Sequence, residues 1–147
     1  MKHIIVLLSI LCIGTYAFGQ QVSVRDGTII VTIVGLRSND GYVKIALYNS
    51  KDGFPDKSEK ALKKQKYRIE NRISCAQFTE LPYGEYAIGV YHDENENNEL
   101  DTGMFGIPKE GYGASNDAKG FMGPPTFNDA KFSLQRDTLQ IAIKMNY

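Results

Sequence analysis

The chain has 147 residues, 17 Lys and Arg against 17 Asp and Glu, and 42% hydrophobic residues. A neutral balance argues against a dedicated nucleic-acid binder, and the length suits one domain with its own hydrophobic core. No run of 18 or more apolar residues occurs, so no transmembrane helix is expected.

The N-terminus comes first because it alters every later count. Met1, Lys2 and His3 make a short positive start, Ile4 to Ile13 is almost wholly apolar, and Ala17, Phe18 and Gly19 form a small-x-small cleavage site before Gln20. This is the layout of a secretory signal, so residues 1–19 are read as a signal peptide and 20–147 as a single exported domain, periplasmic or extracellular. Cys12 follows Leu11 rather than a small residue, which argues against lipidation. Loss of Lys2 leaves 16 basic residues against 17 acidic ones. Cys75 then stands alone, so stability rests on packing rather than on a disulfide, and the residue is expected to be a small core side chain.

Period-two alternation runs through the remainder and places apolar side chains on one face of a pleated strand. It predicts strands at 28–34, 43–47, 66–70, 73–79, 85–92, 130–135 and 138–145. The last is the clearest, with Leu139, Ile141, Ile143 and Met145 on one face and Thr138, Gln140 and Lys144 on the other. Gly27, Gly41, the pair Asn71 and Arg72, and Pro82 to Gly84 supply turn residues between strands. Lys57 to Lys64 reads as a short helix of marginal length. About seven short strands, each with one wet face, favour an all-β sandwich of two antiparallel sheets. The basic run from Lys57 to Arg68 reads as a solvated strand edge that discourages pairing, rather than as a binding face.

Leu81, Pro82, Gly84 and Tyr86 place a tyrosine just inside a strand after a tight turn, as in a tyrosine corner. This segment resembles the turn-and-strand signature of carboxypeptidase-regulatory-like and transthyretin-like sandwiches, where its role is structural.

Between His92 and Ala130 lie close to 38 residues without alternation. Loops beyond about 12–15 residues are usually functional or disordered. The aromatic residues Phe105, Tyr112, Phe121 and Phe127 argue for order. The Gly and Pro content suggests a backbone folded over one end of the sandwich, where binding usually resides. The segment opens with Asp93, Asn95, Asn97 and Asp101 at positions 1, 3, 5 and 9 of a calcium loop, with Asn98 in place of the turn glycine. Together with Glu99 these form the candidate metal set, and Leu100 is expected to anchor the loop to the core. Position 12 is Met104, so the usual bidentate glutamate is missing, and Asp117, Asp129 or Glu110 would have to replace it. Five carboxylates in nine residues, Asp93, Glu94, Glu96, Glu99 and Asp101, would gain from a cation if held close together.

The run from Gly84 to Phe132 resembles the bacterial domain of unknown function 2141 family. Its elements are HDEN at 92–95, LD at 100–101, GIPKEGYG at 106–113, SN at 115–116 and PxFxxAKF at 125–132. The resemblance implies an exported protein with an immunoglobulin-like or transthyretin-like sandwich, and it transfers no catalytic residue. Ala114 departs from it, since similar sequences often carry an aromatic residue there. The leading expectation is a non-catalytic binding or accessory module, monomeric, with an envelope protein or polysaccharide as partner and calcium as its one suggested cofactor. His92, Phe105, Pro108, Glu110, Tyr112, Ser115 and Asn116 are its candidate binding residues. The alternative is a small envelope hydrolase using His92 with a loop hydroxyl or acid, although no nucleophile turn occurs and His92 shares the strand parity of Tyr86, Ile88 and Val90.

Overall fold

The computed structural model describes residues 25–147. The signal-peptide reading therefore lies outside the described residues. Eight strands follow in order: β1 (Asp26–Val34), β2 (Tyr42–Tyr48), β3 (Lys63–Tyr67), β4 (Ser74–Pro82), β5 (Gly84–Asp93), β6 (Tyr112–Ala114), β7 (Phe132–Leu134) and β8 (Thr138–Lys144). One four-residue helix, α1 (Phe127–Ala130), precedes β7 and starts from a capping box between Thr126 and Asp129.

The strands form an all-β fold of two sheets, one ordered β4-β1-β8 and the other β3-β2-β5-β6, with β7 also on β5. All pairs are antiparallel except β1 with β8, which run parallel. Ile29, Val31 and Ile33 of β1, Val43, Ile45 and Leu47 of β2, Ile88 and Val90 of β5, and Ile143 of β8 share one buried core. Ile143 is on the face that alternation assigned inward in the last strand, and the buried residues of β1 keep the same period of two. Asn71 and Arg72 both have positive φ, 53° and 60°, and turn the chain between β3 and β4 across a Glu70–Ile73 bridge. Tyr86 donates its hydroxyl to the carbonyl of Pro82 at 2.6 Å, completing the tyrosine corner.

Four expectations need correction. Lys57 to Lys64 is not a helix: Ser58–Lys60 makes a single 3-10 turn, and Lys63 already begins β3. The helical stretch is too short to repay its nucleation, whereas β3 gains backbone bonds to β2. The strand expected at 66–70 is therefore displaced toward the N-terminus, running from Lys63 to Tyr67. Cys75 is exposed, because Ser74, Ala76 and Phe78 take the inner face of β4. Leu100 is half-buried and lies outside both apolar clusters.

The fourth correction concerns the long segment. It contains β6, a three-residue strand whose central Gly113 lets Ile143 approach, since a Cβ there would lie 3.0 Å from that side chain. Its later part also covers the outer face of the five-stranded sheet rather than only one end of the sandwich. Ala114, Ala130, Phe127 and Phe54 pack there with Ala87, and the rings of Tyr48, Phe54 and Phe127 meet edge to face at 5.2 and 5.9 Å. Ala114, Ala118, Phe127 and Ala130 of this segment thus give the sheet a second, smaller core, while Met104, Phe105, Ile107, Phe121 and Met122 stay exposed.

Candidate functional site in the acidic loop

Strand β5 delivers His92 and Asp93, both 0% exposed, to the start of the acidic loop. Gly41 makes the close approach possible. Its φ is +63°, and a Cβ would lie 1.9 Å from the carbonyl oxygen of Asp93.

The loop is held from within. Asp93 Oδ2 accepts the amide of Asn98 at 3.1 Å, Asn95 Oδ1 that of Asn97 at 3.1 Å, and Asn97 Oδ1 that of Glu99 at 2.8 Å. The side-chain amides of Asn95 and Asn97 both donate to Asp101, at 2.7 and 3.0 Å. Asn98 has a φ of 69°, the left-handed turn that a glycine usually makes at this position. Asn95, Asn97 and Asp101 are thereby tied to one another, while Asp93 bonds to the turn at Asn98. Among the described residues no three His, Cys, Asp or Glu side chains converge, so any metal set here depends on the two asparagines. Glu99 is exposed and contributes only its backbone amide to this winding.

Glu110, 4% exposed, closes the loop. Its two oxygens accept the amides of Glu94 at 2.9 Å and Asp101 at 3.0 Å, joining the loop's beginning to its end. The other two candidates for the missing ligand lie elsewhere: Asp117 accepts the amide of Lys144, and Asp129 caps α1.

Two basic residues from outside the loop meet its carboxylates. Arg37 binds Glu94 through Nε and Nη2, both at 2.6 Å, and the pair raises the pKa of the guanidinium. Lys44 Nζ lies 2.5 Å from Asn98 Oδ1 and 3.6 Å from Asp93 Oδ2. Asp93 Oδ1 nevertheless has no hydrogen-bond partner, and it is the one such buried side-chain atom among the described residues. Tyr91 lies alongside, its hydroxyl bonded to the carbonyl of Asn98 at 2.8 Å. Its pKa is pushed up to about 12 by burial first, then by the charges of Asp93, Glu110 and Glu99.

His92 is engaged at both nitrogens. Nε2 donates to the carbonyl of Asp40 at 2.7 Å, which fixes the tautomer, and Nδ1 meets the hydroxyl of Tyr147 at 2.8 Å. The Tyr147 hydroxyl accepts the amide of Arg37 at 3.0 Å, leaving its own proton for the histidine. Glu94 Oε1 is 3.3 Å from Nδ1. Arg37, Asp40 and Tyr147 carry no local motif, so sequence reasoning missed all three; they arrive from loops far away in the chain.

The remaining candidate binding residues separate into supports and exposed groups. Ser115 is buried and fills the rung of β5 between β6 and β7: its Oγ accepts the amide of Ile88 at 2.9 Å and donates to the carbonyl of Ala130 at 2.6 Å. Asn116 donates to the carbonyl of Lys131 at 2.8 Å. Pro108 bridges Thr102, and Tyr112, 38% exposed, bridges Asn146. Phe105 is 93% exposed.

The chain is thus an all-β domain of two sheets whose fifth strand ends in a buried aspartate and an acidic, internally bonded loop. The chain belongs to the family described as an uncharacterized protein conserved in bacteria (DUF2141), whose model matches residues 31–142. No curated protein and no solved structure matches the chain. The matched region takes in both sheets and the whole acidic loop.

Proposed function

We propose that this chain is an exported, non-catalytic binding or accessory module whose acidic loop holds a structural calcium ion. The observation that carries the calcium reading is Asp93 Oδ1, a buried and unpartnered carboxylate oxygen at the head of a loop in which Asn95 and Asn97 both bond to Asp101. Leaving a buried carboxylate oxygen without a donor costs about 1–3 kcal/mol or more, and a hard cation with oxygen ligands removes that cost. Lys44 offsets part of the charge of Asp93, but it stands nearer Oδ2. Export rests on the signal-like layout of residues 1–19. An envelope protein or polysaccharide is the partner class that fits this compartment, and a monomer is the state we assign.

A hydrolase built on His92 is the weaker reading. The ring is fully buried, its nitrogens face Asp40 and Tyr147, and the Oγ of Ser115 is committed to Ile88 and Ala130.

Thermal unfolding in calcium and in chelator tests the calcium reading. Calcium at about 100 times its Kd should stabilise the protein by about 2.7 kcal/mol, and Asp101→Ala should abolish the difference. An identical melting temperature in millimolar calcium and in chelator refutes the site.

A further inference from the structure

Strand β3 forms one edge of its sheet, and its outward side carries a row of cations. Lys64 stands opposite Ala46 and Lys66 opposite Lys44, whereas the intervening Ile45 belongs to the core, so both lysines leave the outer face. Arg68 follows on the same side: its guanidinium lies 5.3 Å from the centre of the Tyr42 ring, and Lys66 Nζ lies 4.6 Å from it. Three exposed positive charges thus follow one another at intervals of about 6.6–6.8 Å along one line. Among the described residues none of the three forms an ion pair. Lysines alone would guard an unpaired edge against other strands. Tyr42 adds a ring that holds two of the cations in place, which lowers the ordering cost that a ligand must meet.

We propose that this row binds the chain of an acidic polysaccharide laid lengthwise along β3, with its carboxylates over Lys64, Lys66 and Arg68. The inference rests on the binding-module reading above and names its partner; it makes no use of the calcium site. Charge complementarity selects an anion, and the shape of the face selects a linear one. Pro55 lies over Gly89, its Cβ 3.2 Å from where a side chain there would begin, and Phe54 and Phe127 pack on Ala87. This layer occupies the middle of the outer face and leaves a strip along β3. The acidic loop stands on the same face, since Asn98 meets both Lys44 and the hydroxyl of Tyr91. A planar anionic bilayer would press on that layer and on the exposed Glu96 and Glu99, which repel it. A single chain along β3 passes beside both, and Lys44 stands between it and the loop. A peptide docks through side chains seated in pockets, but the neighbours of the strip on β2 are Tyr42, Lys44 and Ala46. A uronic-acid chain instead presents carboxylates and hydroxyls to a polar strip.

Calorimetry with a linear oligogalacturonate, in chelator, tests this. Binding should weaken as salt is added, and the affinity should fall at least about tenfold in the triple variant Lys64→Ser, Lys66→Ser, Arg68→Ser. All three positions are exposed, so the variant should keep the parent's melting temperature. Tyr42→Leu retains every charge and should cost about two- to fivefold in affinity, a loss that net charge alone does not produce. An affinity unchanged in the triple variant, or equal for neutral dextran, overturns the inference. Binding of polyglutamate or of phosphatidylglycerol vesicles in place of the saccharide overturns it as well. A calcium-dependent melting temperature without saccharide binding overturns this inference and leaves the calcium reading standing; saccharide binding without any calcium response supports this inference and removes that site.

Discussion

Glu110→Gln should destabilise the protein by about 1.5–3 kcal/mol. Both oxygens of this buried carboxylate accept main-chain amides, from Glu94 at 2.9 Å and Asp101 at 3.0 Å. Hydrogen bonds to a charged group contribute about 1.5–3 kcal/mol each. Glutamine keeps one acceptor in neutral form and turns an NH2 group toward the other amide, so most of one bond and part of the second are lost. An opposing effect is relief of repulsion between Glu110 and the neighbouring acidic side chains, which solvent and salt screen. The bonds win because both are made by a buried carboxylate, while the repulsion is partly met by Lys44 beside Asp93 and Arg37 on Glu94. Urea unfolding in chelator isolates this from any cation. A variant within about 0.5 kcal/mol of the parent, or more stable than it, would show that the loop is not closed by Glu110.

Three further outcomes follow from single contacts. Tyr86→Phe strands the carbonyl of Pro82 and should cost about 1–3 kcal/mol in equilibrium unfolding; no change would remove the corner from the account. Cys75 lies on the outer face of β4, so its thiol should react with a disulfide reagent in the folded protein as fast as in denaturant, and protection by folding would contradict the assigned face. The hydroxyls of Tyr48 and Tyr91 are both raised to about 12 from 10.0, chiefly by burial. A raised phenol contributes stability that is complete below pH 10 and is lost as pH climbs toward about 12, so the melting temperature should fall across that window and fall less in Tyr91→Phe.

What the sequence made legible depended on range. Alternation assigned the inner faces of β2 and β8 because a strand's period is a local property, and Tyr86 and Asn98 were readable because a corner and a left-handed turn are set by a few adjacent residues. β6 was hidden: three residues with a central glycine have no period to read, and their strand character comes from β5 and from Asn146. Cys75 misled because composition favours burial, whereas the parity of Ala76 and Phe78 forces it outward. In the acidic loop the spacing of Asp93, Asn95, Asn97 and Asp101 was visible, but the bonds of Asn95 and Asn97 to Asp101 and of Asp93 to the amide of Asn98 were not. The clasp formed by Arg37, Lys44 and Tyr147 was not visible, since those residues meet the loop only after both sheets have closed.

The central claim is that the loop from Asp93 to Asp101 binds a hard cation, and terbium luminescence tests it directly. Tyr91 is bonded to the loop at Asn98, so a sensitiser stands beside the proposed site. Excitation of tyrosine should produce terbium emission that saturates with one ion per chain, is displaced by calcium and disappears in Asp93→Ala. Absence of sensitised emission, or emission unchanged by Asp93→Ala and by excess calcium, would contradict the account.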